Sequence, residues 1–441
     1  MFIFFVARWR NSRTNYLFLM KSFRILVLAV LCMGLTRTAH SQPDTTQKIV
    51  PHRINSPSQQ SKPYVILISA DGFRSDYTKK YNARNLLRLS KQGAAAEYML
   101  ASYPSVTFPN HYTIVTGLYP SHHGLVDNMY YDGKRKAVYD MHDPRIVHDS
   151  SWYGGTPLWV LAEQEEMLTA SFYWVGAEAA IQNVRPTYYY NFNDSIPLAR
   201  RLNEVKKWLQ LPEERRPHLI SFYFPEVDHE SHLHGPDAKE TGKAVQLIDT
   251  SIGQLAAMTD SLHLPVNFIF VSDHGMASVD IEHPIPIPPT LLDSSLCRLV
   301  SGSTLLHVYV KNPRRILPLY HQLQMGANDI DVYLPQDIPA SWHYGKLDDW
   351  HNRIGDIVVV TRFPRIFKIG NKKATPGKHG FDPAIKEMHA TFLAWGPQIR
   401  KSNTIPPFEN VNVFPFVAGI LGLTYSFPID GSPNALNYLL R

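Results

Sequence analysis

Seven side chains that could bind metal ions or act as a nucleophile are spread along the chain. Carboxylates and imidazoles predominate and no thiolate takes part, which is the ligand chemistry of a hydrolytic Zn²⁺ site; this chemistry also admits Mn²⁺ or Fe. Seven ligands are too many for one tetrahedral ion but suit two, which can stabilise the attacking and leaving oxygens of a displacement at phosphorus. The candidate ligands are Asp71, Thr107, Asp228, His232, Asp273, His274 and His379.

Thr107 lies in the stretch SVTFPNHYTIVTG, and its position suggests a role. Pro109 suits the first turn of a helix and Gly117 suits its end. Thr107 would then lie near the helix N-terminus, where free N–H groups and the dipole favour anions. A lone threonine there is more often an N-cap that stabilises the helix. The alternative is a nucleophilic hydroxyl that a bound metal ion activates, with Asn110 or another amide donating to the phosphoryl group.

Three short apolar runs each bring an aspartate to the end of a predicted strand. They are YVILISADG, LISFYFPEVD and VNFIFVSDHG, which end near Asp71, Asp228 and Asp273. Such runs are typical of parallel strands that are covered on both faces. Helical patterns alternate with them, at residues 82–94, 156–166, 198–210 and 241–262. We therefore predict an α/β fold with a doubly wound, mostly parallel sheet flanked by helices, in which ligands bind beyond the carboxyl ends of the strands.

The remaining segments divide the chain further. Residues 283–376 open with HPIPIPPT and lack the regular alternation, so we predict an inserted α+β cap subdomain there. The motif KHGFDP then returns the chain to the site, and VNVFPFVAGILGL (411–423) predicts a last helix on the core. Residues 42–61 are polar and contain proline, which predicts a linker. The catalytic domain would then comprise residues 62–441.

Residues 1–41 have the layout of a secretory signal peptide. Met20, a candidate for the true start, precedes Lys21 and Arg24, and the apolar run Ile25–Leu35 follows them. This run is too short to span a bilayer comfortably as a permanent helix. We therefore expect an exported protein, periplasmic or secreted, without a stable membrane anchor.

The formal charge of +6 belongs to this leader. Residues 1–41 contain six basic and no acidic residues, and removing six from 44 leaves 38 basic against 38 acidic residues. A neutral chain gives no indication of binding to nucleic-acid polymers. Without the leader, Cys297 is the only cysteine, so an intramolecular disulfide is impossible.

Histidine is abundant, with 20 in the chain, so several histidines near the motifs are as easily structural or exposed. These are His111, His122, His123, His229, His234 and His389. Three further aspartates are expected in turns or as supports of the site, namely Asp76, Asp127 and Asp382.

Five segments together resemble the nucleotide pyrophosphatase/phosphodiesterase family of the alkaline phosphatase superfamily. They are DGFRSDY, SYPSVTFPNHYTIVTGLYPSHHGLVDNMYYD, EVDHESHLHGPD, SDHGM and KHGFD. The resemblance implies two Zn²⁺ per chain and a catalytic threonine, Thr107, that forms a covalent phospho-enzyme. It assigns one zinc to Asp71, Thr107, Asp273 and His274, and the other to Asp228, His232 and His379.

The resemblance also implies substrate contacts. Asn128 matches an asparagine that donates to a phosphate oxygen. Phe108 matches an aromatic that stacks on one face of the nucleobase, and Phe192 matches the aromatic on the opposing face. Tyr223 matches a further aromatic of the pocket. Each of the three could equally pack in the core. Since the chain lacks the cysteine-rich modules of animal members, nucleotides, phospholipid head groups and glycerophosphodiesters all stay open as substrates.

The residues around Thr107 separate the alternatives. A sulfatase would need C/S-x-P-x-R, and no arginine follows here. A phosphate monoesterase would need positive groups around the additional oxygens. The sequence near Thr107 has none, but such groups can arrive from distant sequence, such as the cap. We therefore expect hydrolysis of phosphodiester or pyrophosphate bonds in small, nucleotide-type substrates. A monoesterase of the same superfamily and a lipid-head-group phosphodiesterase are alternatives, and a metal-binding module without turnover is a third.

Overall fold

The computed structural model describes residues 44–371, 373–402 and 404–441, and the predicted signal peptide lies outside the described residues. Thr45–Arg441 form one unit. Its strands are β1 (Lys48–Ile49), β2 (Tyr64–Ala70), β3 (Ala94–Ala95), β4 (Met99–Leu100), β5 (Met129–Asp132), β6 (Ala137–Asp140), β7 (Thr169–Phe172), β8 (Tyr188–Tyr190), β9 (Leu219–Phe224), β10 (Val266–Val271), β11 (Ala277–Ser278), β12 (Ile285–Pro286), β13 (Cys297–Ser301), β14 (Leu305–Val310), β15 (Ile330–Tyr333), β16 (Ile357–Thr361), β17 (Phe367–Lys368), β18 (Gly377–Lys378), β19 (Phe392–Trp395) and β20 (Phe408–Glu409). Its α-helices are α1 (Pro57–Gln60), α2 (Tyr77–Lys80), α3 (Arg84–Ser90), α4 (Thr107–Thr116), α5 (Pro120–His123), α6 (Pro144–Val147), α7 (Leu158–Gln164), α8 (Leu198–Leu209), α9 (Glu226–His234), α10 (Lys239–Ser261), α11 (Ile316–Met325) and α12 (Val413–Leu421).

The central sheet has eight strands in the order β1-β8-β7-β9-β2-β10-β19-β3. The five strands from β8 to β10 run parallel, whereas β1, β19 and β3 join antiparallel at the two edges. The predicted doubly wound, mostly parallel α/β fold is thus confirmed. In the middle of the sheet, Ala70 of β2 is level with Phe224 of β9, and Ser69 is level with Val271 of β10. The carboxyl ends of these three strands therefore lie side by side.

Both faces of the central strands are buried. On β2, Val65 and Leu67 belong to one apolar cluster with residues of α4, α7 and the predicted last helix, α12. Ile66 and Ile68 belong to a second cluster, with residues of α8 and α10. Because successive side chains of a strand point to opposite faces, burial of both faces requires apolar residues at every position. Each such fully buried side chain contributes about 1.5–3 kcal/mol to the free energy of unfolding.

A second sheet lies within the predicted insertion, residues 283–376. It is antiparallel, with the order β13-β14-β16-β15. Helix α11 packs against it, and Leu306, Leu319 and Ile357 belong to an apolar cluster that is separate from the two clusters of the central sheet. The predicted α+β insertion is therefore present, and the chain returns from it through β17 and β18 to His379.

The described part of the predicted linker, residues 44–61, differs from the prediction because it is folded. β1 pairs with β8 of the central sheet. Asn55 is fully buried, and its amide donates to the carbonyls of Glu213 and Arg216 while its Oδ1 accepts from the backbone N–H of Leu168. Asn55 is thus a polar residue that satisfies buried backbone groups, within a segment whose composition is that of a solvent-exposed linker.

Candidate metal and nucleophile site

Five of the seven predicted ligands lie where β2, β9 and β10 end. Asp71 directly follows β2, and Asp273 and His274 follow β10 after one intervening residue. Helix α9 begins just after β9 and carries Asp228 and His232, which are four residues apart and share one helix face. Neighbouring parallel strands thus bring residues about two hundred positions apart into one cluster.

The other two predicted ligands come from outside these strands. Thr107 is the first residue of α4, and His379 follows β18, which pairs with β11. Gly377 allows β18 to lie directly against α9. A Cβ atom at Gly377 would be 2.0 Å from the carbonyl oxygen of Ser231 and 3.2 Å from Cα of His232.

Backbone carbonyls orient all three histidines of the cluster. Each Nδ1–H donates to one carbonyl oxygen, so that each Nε2 carries a lone pair directed at the cluster. The nitrogen–oxygen distances are 2.8 Å from His232 to Gly377, 2.8 Å from His274 to Gly275 and 2.9 Å from His379 to Ser105. Nε2 of His232 lies only 3.1 Å from Nε2 of His379. Such orientation through Nδ1 is typical of histidines that bind a metal.

Each of the three aspartates has a buried oxygen without a hydrogen-bond partner among the described residues. These atoms are Asp71 Oδ1, Asp228 Oδ1 and Asp273 Oδ2. The opposite oxygens are fixed in two cases: Tyr223 donates to Asp71 Oδ2 over 2.5 Å, and the N–H of Gly72 donates to Asp273 Oδ1 over 3.1 Å. Because an unpaired buried carboxylate oxygen is costly, three of them facing three imidazole lone pairs fit bound cations.

The donor atoms form two overlapping groups. The atoms of Asp71, Asp273 and His274 lie within 4.8 Å of one another, and so do those of Asp228, His274 and His379. Thr107 Oγ1 lies 3.4 Å from Nε2 of His274, so the hydroxyl belongs to the same cluster. Oxygen and nitrogen donors without thiolate suit Zn²⁺. The residues present therefore fit a pair of metal ions next to the threonine.

The electrostatics of the protein without metal agree with this for Asp71 and His379. The pKa of His274 is instead raised, because the carboxylate of Asp273, 2.8 Å from its Nε2, outweighs the lowering by burial. Burial raises the pKa of Asp71 well above its usual range, and the carboxylates of Asp273 and Asp228 raise it further. Burial lowers the pKa of His379 well below its usual value, and the neighbouring His274 also lowers it. Nearby cations would lower the pKa of Asp71 again, since they favour ionised carboxylates. The lowered pKa of His379 leaves a neutral imidazole that can bind a cation.

A cavity of about 960 Å³ opens above the cluster. Thr107, Asp228, His232 and His379 line one part of it. Residues 301–305 of the insertion and residues of the segment 366–375 line the opposite part. The site is thus accessible to a small molecule, and the insertion forms one of its walls.

Asn128 lines the same cavity as Thr107. Its Oδ1 accepts a hydrogen bond from the backbone N–H of Phe108 over 2.9 Å, so its two amide N–H groups are the donors that remain for a ligand. Asn110, the other amide considered from the sequence, is fully buried and donates to two backbone carbonyls. Of these two amides, only that of Asn128 lines the cavity.

The three predicted aromatic contacts have different surroundings. Phe108 is partly exposed, and its ring lies edge-on to Tyr139 at 6.4 Å. Phe192 is 53% exposed, and its ring centre lies 6.4 Å from that of Tyr223. Because the hydroxyl of Tyr223 is bound to Asp71, a contact of Tyr223 with substrate would have to use its ring.

The model of the type I phosphodiesterase / nucleotide pyrophosphatase family matches residues 65–382. The chain belongs to this family. It is 32% identical over 401 residues to ectonucleotide pyrophosphatase/phosphodiesterase family member 3 of Rattus norvegicus, covering 87% of this chain and 45% of the relative. It is also 32% identical over 391 residues to venom phosphodiesterase 2 of Crotalus adamanteus, covering 86% and 47%. The chain thus spans about half the length of the curated relatives it matches.

Solved structures of the family agree with the fold. Murine ectonucleotide pyrophosphatase/phosphodiesterase 5 superposes with a TM-score of 0.78 at 29% identity, covering 86% of this chain and 100% of the other. An inactive threonine-to-alanine variant of the murine protein in complex with AMP superposes with a TM-score of 0.79 at 28% identity, covering 86% and 100%. The family resemblance and the alkaline-phosphatase-like fold predicted from the sequence are confirmed.

His111 is a buried residue that supports the site of this phosphodiesterase-family chain. It is fully buried, its Nδ1 donates to the carbonyl of Thr107 over 2.9 Å, and the same nitrogen lies 3.4 Å from Asp273 Oδ2. It therefore ties the first turn of α4 to a predicted metal ligand. From the sequence, His111 is as easily structural or exposed as functional, and its buried contacts show a structural position.

His307 of the insertion supports Asn128, and sequence analysis did not identify it. Its Nε2 bonds Asp127 Oδ2 over 3.0 Å, and Asp127 Oδ1 accepts from the backbone N–H of Asn128 over 2.6 Å. His307 lies in an apolar strand 180 positions away from Asp127, so no local pattern could have revealed the pair. The insertion thus helps to place the amide beside Thr107.

Lysines reach the cavity from sequence distant from Thr107, which is the source that the monoesterase alternative named. The lysines that line it are Lys368, Lys373 and Lys378. Lys368 and Lys373 belong to the predicted insertion, residues 283–376, and Lys378 directly precedes His379. The sequence close to Thr107 contains no lysine or arginine, so these positive groups come from chain about 260 to 270 positions further on.

Proposed function

We propose that the protein is a hydrolase that uses two Zn²⁺ to cleave phosphodiester or pyrophosphate bonds in nucleotide-type substrates. One observation carries the proposal: three imidazole lone pairs and three unpaired carboxylate oxygens converge next to a threonine hydroxyl at a helix N-terminus. One zinc would be held by Asp71, Thr107, Asp273 and His274, and the other by Asp228, His232 and His379. When bound, the ions lower the pKa of the attacking hydroxyl and stabilise charge on the oxygens around phosphorus.

Thr107 supplies the nucleophile. Its Oγ1 forms a bond to phosphorus while the bond from phosphorus to the leaving oxygen breaks, and the hydroxyl proton passes to solvent. Backbone N–H groups at the start of α4 and the amide of Asn128 donate to the phosphoryl oxygens. Water then attacks the phosphorus of phosphothreonine, which releases the nucleoside monophosphate and restores the Thr107 hydroxyl.

Phe108 and Phe192 would hold the nucleobase between them. Both are partly or largely exposed close to the cluster, and an exposed aromatic ring gains from stacking on a base. The AMP complex of the murine relative supports a nucleotide as ligand of this fold. Tyr223, whose ring lies between Phe192 and His111, would border the same subsite.

Thr107→Ala tests the proposal in purified, zinc-loaded protein with the nitrophenyl ester of thymidine monophosphate as substrate. Removal of the nucleophile should lower kcat by at least about a thousandfold while zinc content, measured by mass spectrometry, stays at two per chain. Thr250→Ala, which removes an exposed helical hydroxyl, serves as the matched control. Diester turnover that survives Thr107→Ala would refute the proposed nucleophile.

The same assay separates the alternatives. The lysines in the cavity could serve the additional oxygens of a terminal phosphate, so nitrophenyl phosphate is assayed in parallel. Comparable turnover of that monoester would favour a phosphate monoesterase, and preference for glycerophosphocholine would favour a head-group phosphodiesterase. No turnover by zinc-loaded protein would favour a metal-binding module.

We further propose that the protein is exported and that residues 1–41 are its signal peptide. The relatives include ectoenzymes and venom enzymes by name. Among the described residues, no helix is both long and apolar enough to cross a membrane. The amino-terminal sequence of the protein isolated from its host would show whether cleavage occurs after residue 41.

A further inference from the structure

His307 is a fully buried polar residue in an otherwise apolar strand of the insertion, β14, with the sequence LLHVYV. Both of its ring nitrogens face oxygen atoms. Nδ1 lies 2.7 Å from the carbonyl oxygen of Ile354, and Nε2 lies 3.0 Å from Oδ2 of Asp127. A backbone carbonyl and an ionised carboxylate can only accept hydrogen bonds. Both ring nitrogens of His307 therefore carry a hydrogen, and the ring is an imidazolium paired with the carboxylate of Asp127.

This ion pair joins the insertion to the amide that lines the cavity. Asp127 Oδ1 accepts a hydrogen bond from the backbone N–H of Asn128 over 2.6 Å. The side-chain oxygen of Asn128 accepts from the backbone N–H of Phe108 over 2.9 Å. Asn128 is thus held between the first turn of α4, which carries Thr107, and His307 of the insertion. A donor to a phosphoryl group is most effective when its direction is fixed before the reaction begins.

The insertion also holds the backbone on both sides of Asn128, through three further hydrogen bonds. Arg353 donates to the carbonyl of Gly124 over 2.7 Å, Tyr344 donates to the carbonyl of Val126 over 2.6 Å, and the hydroxyl of Tyr309 accepts from the N–H of Tyr131 over 3.0 Å. These three contacts fix the path of the chain. Of the four contacts, that of His307 alone reaches a side chain, and this side chain belongs to the residue before Asn128.

Stability alone does not explain a charged pair at this position. A buried ion pair is often no more stabilising than apolar side chains of similar volume, although removal of one partner is costly. The neighbours of His307 along β14 are leucine and valine, so an apolar residue would suit the strand. A satisfied polar network in such a place instead fixes one geometry.

We propose that His307 is a positioning residue for phosphoryl transfer. Its imidazolium holds Asp127, and Asp127 holds Asn128 in the direction from which the amide donates to the phosphoryl oxygens. The inference rests on the proposed function, and it makes the insertion a part of the catalytic apparatus as well as a wall of the cavity.

Two substitutions separate the two hydrogen bonds of His307. Glutamine places an amide nitrogen close to the position of Nε2 and can still donate to Asp127, whereas asparagine places it close to Nδ1 and can donate only to Ile354. With zinc-loaded protein and the nitrophenyl ester of thymidine monophosphate, kcat should fall about tenfold to a hundredfold in His307→Asn, because the donor is misplaced. KM should stay within about threefold of the wild type, and zinc content should be unchanged. His307→Gln should keep kcat within about threefold, although each variant loses one buried hydrogen bond and both should have a lower Tm.

A double substitution distinguishes positioning from a general loss of structure. In an Asn128→Ala background, His307→Asn should lower kcat by less than about twofold further, because the two residues act as one unit. Equal losses in the two backgrounds, or equal losses in the asparagine and glutamine variants, would show a merely structural role and would overturn the proposal.

Nitrogen NMR of the histidine rings tests the proton assignment without turnover. The signals of His307 are those that disappear in His307→Asn. In metal-free wild-type protein at pH 7, both of its ring nitrogens should have the chemical shifts of protonated nitrogen. In Asp127→Asn, whose amide can donate to Nε2, Nε2 should become unprotonated. A wild-type Nε2 without a proton would overturn the imidazolium. Failure of the wild type to hydrolyse the ester would instead refute the proposed function and leave the NMR result as it is.

Discussion

Gly377 makes the tightest backbone contact of the site, and its replacement by alanine is a sharp test of how the proposed second metal would be held. Its Cβ would lie 2.0 Å from the carbonyl oxygen and 2.7 Å from the carbonyl carbon of Ser231. Since both atoms belong to the backbone of α9, a change of side-chain rotamer cannot relieve the clash. Strand β18 must therefore move away from α9 by about 1.5 Å to reach an ordinary non-bonded distance.

That displacement acts directly on two predicted ligands. The carbonyl of Gly377 accepts the 2.8 Å hydrogen bond from Nδ1 of His232, and His379 follows two residues later. A shift of about 1.5 Å would break the bond and misplace both imidazoles. Loss of such an orienting contact costs about tenfold to a hundredfold in metal affinity, and the forced packing costs about 1–3 kcal/mol in the free energy of unfolding.

The assay is a titration of Gly377→Ala with zinc in a chelator buffer, followed by diester turnover and thermal unfolding. We expect one tightly bound zinc in place of two and a fall in kcat of at least about tenfold. Gly133→Ala is the matched control, because a Cβ there meets only the ring of Tyr131, at 3.9 Å. Two equally tight zincs and wild-type turnover in Gly377→Ala would refute the account of how β18 positions His232 and His379.

Two further predictions concern Asn128 and Asp71. Asn128→Ala should lower kcat about a hundredfold to a thousandfold through loss of a donor to the phosphoryl oxygens, with two zincs retained by mass spectrometry; loss of zinc would instead indicate a structural role. Because the pKa of Asp71 is raised in the metal-free protein, the unfolded chain ionises first, and stability is lost as pH rises above the ordinary carboxyl range. With EDTA at pH 7, Asp71→Asn should therefore have a higher Tm than the wild type, and with zinc a lower one. The same order of the two Tm values with EDTA and with zinc would contradict this prediction.

Much of the fold and of the candidate ligand set could be predicted because both follow from local patterns. Burial on both faces forces continuous apolar runs, and these runs mark the strands. The ends of neighbouring parallel strands must meet, so Asp71, Asp228 and Asp273 could be grouped before any coordinates. Thr107 could be placed at a helix N-terminus because Pro109 and Gly117 bound the helix.

The residues that could not be predicted act over long distances or through the backbone. His307 reaches Asp127 from an apolar strand of the insertion, and Lys378 enters the cavity only because β18 lies against α9. Asn55 resembles a linker residue because its polar groups satisfy a buried backbone. In each case the sequence near the residue carries no signal, since the partner is defined by packing alone.

The orientation of the metal cluster depends on the backbone more than on side chains. Each imidazole is fixed by a main-chain carbonyl from a different segment: the chain before α4, the turn after β10 and the strand β18. A main-chain carbonyl is available at every residue, so substitutions that keep the path of the chain also keep the tautomer and direction of the histidines. Substitutions that move the path, such as a side chain at Gly377, should weaken binding of the proposed metal ions although no predicted ligand is replaced. The packing of β18 on α9 is therefore as much a part of the site as the imidazoles that it orients.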